Sequence, residues 1–208
     1  MALSRKEKEQ LSRKQYMIDA TRTLFAEKGY EHTSMNEIAE KAEFSKRTIY
    51  QYFQDKAELY LVVIIQEYRQ LYDYLSTYNY SEGINGYEKM SQLINAYYDY
   101  YKANRKTYYF LYDVGKIKTL SDSPQLESLF EVENQLTNLI TEVIILGQKD
   151  HSIHISSDVY SLSCNFKFMV TSLFNQLATA GDNYAQHIGK EPDQFAKEMI
   201  GLLLQTLN

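Results

Sequence analysis

The chain has 208 residues, of which 44% are hydrophobic and 24% charged, so it can bury a sizeable core and is not typical of a disordered protein. Its single cysteine, Cys164, excludes an internal disulfide, and its few glycines and two prolines favour an all-α fold. The formal net charge of −5 argues at first against a nucleic-acid partner.

The distribution of charge changes that argument. Residues 1–60 carry 11 basic and 10 acidic side chains, whereas the rest of the chain carries 11 and 17. The longest apolar run, residues 59–65, is far shorter than the ~20 residues of a membrane helix. The basic start lacks the apolar segment of a secretory signal. We therefore expect a cytoplasmic protein with no membrane partner.

The start of the chain predicts helices with recognisable ends. Apolar side chains recur at helical spacing over residues 12–28, and Gly29 follows as a typical C-terminal residue. Ser34 and Glu37 have the spacing of a capping box, which opens a short second helix. A further box at residues 55–58 begins a long helix that runs to about residue 75.

A third helix is predicted between these, over residues 46–53, with Ser45 as its N-cap. With the second helix and a turn at residues 43–44, it has the dimensions of a helix-turn-helix. Ile49 and Phe53 form its inner face. Arg47, Thr48, Gln51 and Tyr52 are left outward. With Lys46 and Tyr50, the helix carries donors for phosphates and base edges. This pattern predicts a helix that reads a DNA groove.

The remaining chain predicts helices separated by polar loops. The loops cover residues 76–86, 121–124 and 151–157, with Pro124 at the first turn of a helix that runs to Gly147. Between the first two loops lie a helix ending near Asn104 and a shorter one over residues 108–114.

Two final helices are predicted: the first ends at Gly181, and the second begins near Pro192. Both are hydrophobic on more than one side, which indicates a subunit interface. The residues expected there are Leu162, Phe166, Met169, Leu173, Leu177, Phe195, Met199, Leu202 and Leu203.

Residues 14–60 resemble the TetR-family DNA-binding domain almost position by position. The match runs through Ile18-Asp19-Ala20, Leu24-Phe25, Gly29-Tyr30, Thr33-Ser34-Met35, Ile38-Ala39, Ala42, Ser45 to Phe53, Lys56 and Leu59. The resemblance implies a DNA-binding domain in residues 1–57 and a helical ligand-binding and dimerisation domain in residues 58–208. It also implies that the last two helices pair with their copies in a homodimer.

The resemblance further implies roles for single residues. Thr33, Tyr50, Tyr52 and Lys56 would contact phosphates; Lys46, Arg47, Thr48 and Gln51 would face the major groove, and the cap residues Ser34 and Ser45 belong to the same surface. The implied function is a regulator, by family default a repressor, released from a palindromic operator by a small-molecule effector, with activation left open. No cofactor is implied.

The turn departs from the family pattern. Glu43 and Phe44 stand where relatives commonly have glycine and a small aliphatic residue. If position 43 needs a positive φ, its side chain adds strain of about 1 kcal/mol.

Tyrosine is unusually frequent, with 20 in the chain. An aromatic effector pocket and ordinary core packing are both open interpretations. The candidate pocket residues are Tyr97, Tyr101, Phe110, Phe130, Glu133, Phe166 and Phe174. The Glu133 carboxylate could contact a cationic ligand, pair with Lys167, or lie in solvent at the edge of the apolar stripe.

Other signals favour plain interpretations. His151, His154 and Asp158 indicate a solvated loop rather than a metal site. The basic segment before residue 15 is either a solvated tail or an arm that enters a groove. The common catalytic motifs are absent from the sequence, so an enzyme is not expected. The competing function is a helical ligand-binding or protein-interaction module with a vestigial helix-turn-helix.

Overall fold

The computed structural model describes residues 4–112, 123, 125–155 and 158–207. Within them the chain is α-helical, and the helices are α1 Arg5–Lys28, α2 Met35–Lys41, α3 Lys46–Tyr50, α4 Lys56–Ser76, α5 Gly86–Ala103, α6 Gln125–Lys149, α7 Val159–Gln176, α8 Asp182–His187 and α9 Pro192–Gln205. A 3₁₀ turn covers Tyr108–Tyr112 and a π-helical turn covers Leu177–Gly181. The predicted all-α class is confirmed.

Two compact units divide the chain. The first contains residues up to Glu67 and the described residues of Phe110–Leu129; the second contains Tyr68–Tyr109 and the residues from Phe130 onward. Helices α4 and α6 each cross a unit boundary. Within the described residues, none of the helices combines the length and apolar character needed to cross a bilayer.

Aromatic side chains hold the core of the first unit together. Phe25 and Tyr60 are 1% exposed or less, and their rings meet edge to face with centroids 4.8 Å apart. Tyr60 also contacts the rings of Tyr30 and Phe110, at 4.7 and 5.7 Å. Each fully buried aromatic side chain contributes about 1.5–3 kcal/mol through burial alone. This cluster fixes α1 against the first turn of α4.

The second unit contains an unusually close helix contact. A Cβ atom added to Gly86, the first residue of α5, would lie 2.2 Å from the Cα atom of Gly147 in α6. Asp150 accepts a hydrogen bond from the Gly86 amide at 2.7 Å, and Ser152 accepts one from the Tyr87 amide at 3.0 Å. The loop after α6 therefore caps the start of α5.

Several boundaries differ from the sequence prediction. The first helix begins at Arg5 rather than near residue 12, because Ser4 and Glu7 form a capping box. The penultimate helix does not end at Gly181 but continues into α8. The predicted short helix over 108–114 is a 3₁₀ turn as far as Tyr112, and Pro124 and residues 113 and 114 lie outside the described residues.

Candidate nucleic-acid interface

The predicted capping box at the start of α2 is confirmed. Ser34 Oγ accepts a hydrogen bond from the Glu37 amide at 3.3 Å, and Glu37 accepts one from the Ser34 amide at 2.8 Å. The same carboxylate is 2.6 Å from Lys28 Nζ. The bond to Lys28, followed by those to Ser34, lowers the pKa of Glu37 to about 2. Glu37 therefore ties α1 to α2.

The turn between α2 and α3 has a positive φ at position 43, the conformation for which strain was predicted. Glu43 has a φ of +56°, in the left-handed region where a side chain adds strain. Its neighbour Phe44 donates its amide to Ala39 at 3.0 Å and packs its ring against Tyr16, with centroids 6.2 Å apart. The turn is thus anchored on both α2 and α1 despite the strain at Glu43.

Helix α3 is capped as expected but is shorter than expected. Ser45 Oγ accepts a hydrogen bond from the Thr48 amide at 3.1 Å and lies 2.8 Å from the Thr48 hydroxyl. The helix ends at Tyr50 instead of Phe53. Phe53 still donates its amide to Ile49 at 3.0 Å, so the chain keeps a helical turn beyond the formal end.

The inner and outer faces of α3 are clearly separated. Ile49 is fully buried and Phe53 is 1% exposed. The side chains at the exposed or half-buried face are Lys46, Arg47, Thr48, Tyr50, Gln51 and Tyr52. Lys46 Nζ lies 5.9 Å from the centroid of the Tyr50 ring. Cationic, hydroxyl and amide groups therefore project from one surface beside the positive end of the helix dipole.

Two residues expected at the phosphate surface have other positions. Thr33 is 2% exposed, and its hydroxyl donates to the Gly29 carbonyl at 2.8 Å. Lys56 Nζ donates to the carbonyls of Tyr30 and Thr33 at 2.8 and 2.9 Å and lies 4.2 Å from the Tyr30 ring centroid. In this conformation the Thr33 side chain points into the fold, and Lys56 links α4 to the loop before α2.

The basic segment at the start of the chain is helical. Ser4 to Arg13 are exposed, Glu7 belongs to the capping box, and Arg13 pairs with Glu9 at 3.0 Å. Lys14 Nζ lies 5.6 Å from the Phe53 ring centroid. The segment is thus neither a frayed tail nor an extended arm.

The expected effector-pocket residues fall into different surroundings. Tyr97, Tyr101 and Phe174 are buried together in the second unit, with Tyr97 stacked on Phe174 at 4.7 Å and Tyr101 at 5.8 Å from it. Tyr98 and Tyr108 complete an aromatic cluster around Phe174.

The other pocket candidates do not join this cluster. Phe110 belongs to the first unit, where it contacts Tyr60. Phe130 is 57% exposed, outside the buried cluster, and its role in a ligand pocket stays a prediction. Phe166 is fully buried.

Glu133 occupies a polar contact that the sequence did not suggest. Its carboxylate accepts a hydrogen bond from Tyr68, and burial, followed by the charge of Glu133, raises the pKa of Tyr68 well above its usual value. Lys167 Nζ reaches the main-chain carbonyl of Glu133 at 3.4 Å. The pairing with Lys167, one of the three alternatives, therefore involves the Glu133 main chain and not its carboxylate.

The residues expected at a dimer interface are also divided. Leu162, Phe166, Leu177 and Leu203 are buried within the protomer, and their place at a dimer interface stays a prediction. The half-buried or exposed members are Met169, Leu173, Phe195, Met199 and Leu202. Tyr160 and Phe168 on α7, which the sequence interpretation did not select, are 65% and 72% exposed. Their spacing of eight residues, two helical turns, was the available signal.

His151, in the loop after α6, has a φ of +61°. The His154 amide donates to the Leu207 carbonyl at 3.2 Å. In the part of the chain that the structure describes, no three histidine, cysteine or acidic residues are grouped as metal ligands.

Comparison with known proteins connects this geometry to a family. Residues 17–63, which contain α2 and α3, match the family model for bacterial regulatory proteins of the tetR family. The Tn10 TetC protein of Escherichia coli is 26% identical over 155 residues, 74% of this chain and 76% of TetC. The HTH-type transcriptional activator FasR of Mycolicibacterium smegmatis is 40% identical over 52 residues, 25% of this chain and 24% of FasR.

Solved structures share the fold over nearly the whole chain. A tetR-family regulatory protein from Rhodococcus RHA1 is 18% identical, with a TM-score of 0.72 and coverage of 94% of this chain and 97% of that chain. FadR from Bacillus subtilis, solved with stearoyl-CoA, is 17% identical, with a TM-score of 0.67 and coverage of 93% and 99%. The capped helix-turn-helix in residues 17–63 therefore matches the tetR family of bacterial regulatory proteins in sequence, and the chain shares the fold of solved proteins of that family.

Proposed function

We propose that the protein is a sequence-specific, DNA-binding transcription regulator that inserts α3 into the major groove. The observation that carries this proposal is the division of α3 into a buried side and an exposed cationic side. Arg47 and Gln51 are exposed one turn apart, while Ile49 between them is fully buried. Arginine and glutamine are suited to bidentate contacts with guanine and adenine edges.

Phosphate contacts would surround this reading surface. Tyr50 and Tyr52 can donate hydroxyl groups, and the capped starts of α2 and α3 at Ser34 and Ser45 lie at the same motif. Lys46 and Thr48 complete the groove-facing set. Thr33 is left out because its hydroxyl is buried, and Lys56 is assigned a positioning role.

A homodimer would carry two copies of this surface. Tyr160 and Phe168 on α7 and Leu202 on α9 are each more than half exposed, and large exposed apolar side chains on neighbouring helices favour a protein interface. Two-fold symmetry would place the two recognition helices about 34–36 Å apart, so the operator would be palindromic.

An effector would act through the second domain, proposed as residues 58–208, with residues 1–57 binding DNA. The aromatic cluster around Phe174 supplies an apolar surface typical of ligand sites. FadR, which shares the fold, was solved with stearoyl-CoA. An effector that favours a different spacing of the recognition helices would release the operator and relieve repression.

Fluorescence anisotropy with DNA flanking the protein's own gene tests the proposal. Arg47→Ala should weaken specific binding by about 1–3 kcal/mol and relax the preference at one base pair. Lys149→Ala removes a lysine that is exposed at the end of α6 and serves as the matched control. Equal binding of operator and scrambled DNA by the unaltered chain would instead support a binding module with a vestigial helix-turn-helix.

Two further measurements test dimerisation and the direction of regulation. Phe168→Glu should convert a dimer to a monomer in sedimentation, because it puts a charge at the proposed interface. A reporter gene joined to the same flanking DNA should rise on deletion of the regulator if it represses. A fall in the reporter would show activation, the role named for FasR.

A further inference from the structure

A small cleft of about 170 Å³ opens in the second unit, among α5, the π-helical turn, α8 and the start of α9. Its floor is buried and mostly apolar: Tyr98, Tyr101, Leu177, Gly181 and Ala196. Its rim is charged and half exposed, with Lys102 in the last turn of α5 and Arg105 just after that helix facing Asp193 and Asp182. The cleft thus combines aromatic rings with opposed charges.

The side chains of the rim show that the cleft accommodates two cationic groups. The Lys102 ammonium lies 4.6 Å from the Tyr98 ring centroid, 3.1 Å from Asp99 and 3.7 Å from Asp193. Asp193 is also paired with Lys197, at 2.6 Å. The Arg105 guanidinium lies 5.5 Å from the Tyr101 ring centroid and 2.7 Å from Asp182. A ring face and a carboxylate together are the usual recognition elements for organic cations.

The distance between the two cation positions, one beside Tyr98 and one beside Tyr101, limits the size of a ligand. Tyr98 and Tyr101 are three residues apart on α5, so their side chains stand about 5–6 Å apart. A cavity of about 150 Å³ accepts a molecule the size of benzene, so roughly six to nine heavy atoms fit here. Two cationic groups joined by about four carbon atoms meet both limits.

The resident cations can be displaced. The side chains of Lys102 and Arg105 are 42% and 46% exposed, and ion pairs this exposed contribute little to stability. Residues 61–208 carry 11 basic and 17 acidic side chains, which favours the approach of a cation. The π-helical turn that supplies Leu177 and Gly181 is a distortion often found at functional sites.

We propose that this cleft binds a small organic dication, a short-chain diamine or guanidino-amine, with one cationic end between Tyr98 and Asp193 and the other between Tyr101 and Asp182. Its alkyl chain lies over Leu177 and Ala196. The cleft shares Tyr98 and Tyr101 with the aromatic cluster around Phe174, so the inference names a ligand class for the proposed effector surface and rests on that function; its binding test needs no DNA and is independent of operator recognition.

Calorimetric titration of the full chain with 1,4-diaminobutane and 4-aminobutylguanidine tests the site. One molecule of either probe should bind per chain. Butylamine should bind more weakly, and 1,4-butanediol should show no binding. The double variant Lys102→Ala with Arg105→Ala should bind about tenfold more tightly, because it removes two of the three cations that pair with Asp182 and Asp193, Lys197 being left in place. Asp182→Asn with Asp193→Asn should bind at least about tenfold more weakly.

The control is Lys89→Ala with Lys149→Ala, which changes the net charge equally but lies outside the cleft. Its affinity should stay within about twofold of the unaltered chain. Equal tightening in this control would show general electrostatic attraction and overturn the proposal. Failure of both the unaltered chain and the Lys102→Ala, Arg105→Ala variant to bind either probe would overturn it as well. So would binding of acetate or phosphate that the latter variant abolishes, because the cleft would then be an anion site.

Discussion

Replacing Lys56 by methionine separates a positioning role from direct phosphate contact. Lys56 donates to the carbonyls of Tyr30 and Thr33 at 2.8 and 2.9 Å and lies 4.2 Å from the Tyr30 ring centroid. Methionine keeps the length and apolar stem of the side chain but removes the charge and all three donors.

The expected loss follows from these contacts. A hydrogen bond involving a charged group contributes about 1.5–3 kcal/mol, and an exposed cation–π contact about 0.5–1 kcal/mol. Lys56 is half-buried, and water can reach the two carbonyls in its absence, so the net loss should be about 2 kcal/mol. For a chain of this size, Tm should fall by about 4–8 °C.

Two assays distinguish the roles. Thermal unfolding should show the fall in Tm, while the slope of operator affinity against salt should stay unchanged. Lys149→Met, at an exposed position in the last turn of α6, should change stability by less than about 0.5 kcal/mol. An unchanged Tm with a salt slope reduced by about 0.9 would refute the reasoning, because Lys56 would then neutralise a phosphate.

Three other substitutions test the fold. Glu43→Gly should raise the free energy of unfolding by about 1 kcal/mol in urea titration by relieving the positive φ, and a decrease would contradict the strain argument. Gly86→Ala should destabilise the chain by at least about 2 kcal/mol because its Cβ would lie 2.2 Å from Gly147, whereas Gly201→Ala, with open space around it, should gain about 0.5–1 kcal/mol. The pKa of Glu37 is near 4.5 in the unfolded chain and about 2 in the folded chain. The ionised carboxylate therefore stabilises the folded chain fully at pH values above about 4.5, and this stabilisation is lost as the pH falls toward 2. The difference in Tm between the unaltered chain and Glu37→Gln should therefore be constant above about pH 5 and shrink below it, and a constant difference down to pH 2 would contradict that linkage.

Local signals determined which parts of the fold were predictable. Ser34 with Glu37 and Ser45 before α3 identified helix starts, because a cap depends on residues only three positions apart. The Ser4 box was overlooked because the residues after it are polar and lack an apolar period. Helix α8 was overlooked because it continues α7 through a π-helical turn.

The site was predictable where it depends on one helix and unpredictable where it depends on packing. Alternation around Ile49 correctly placed Arg47 and Gln51 outside. The partners of Lys56 are main-chain carbonyls in a loop 23 and 26 residues away in sequence, which a pattern of side chains does not encode. The exposure of Phe130 likewise depends on which neighbours cover each face of α6.

The five-residue length of α3 has a consequence for how such a regulator finds its target. At 1.5 Å per residue the helix extends about 7.5 Å, which spans only about two to three base-pair steps. One mismatch costs about 1–3 kcal/mol, too little for a single protomer to stand out among the ~10⁶–10⁹ competing sites of a genome. If the protein acts as the proposed dimeric regulator, its selectivity would come from simultaneous engagement of both halves of the target, and a small misalignment of either half would be enough to abolish it.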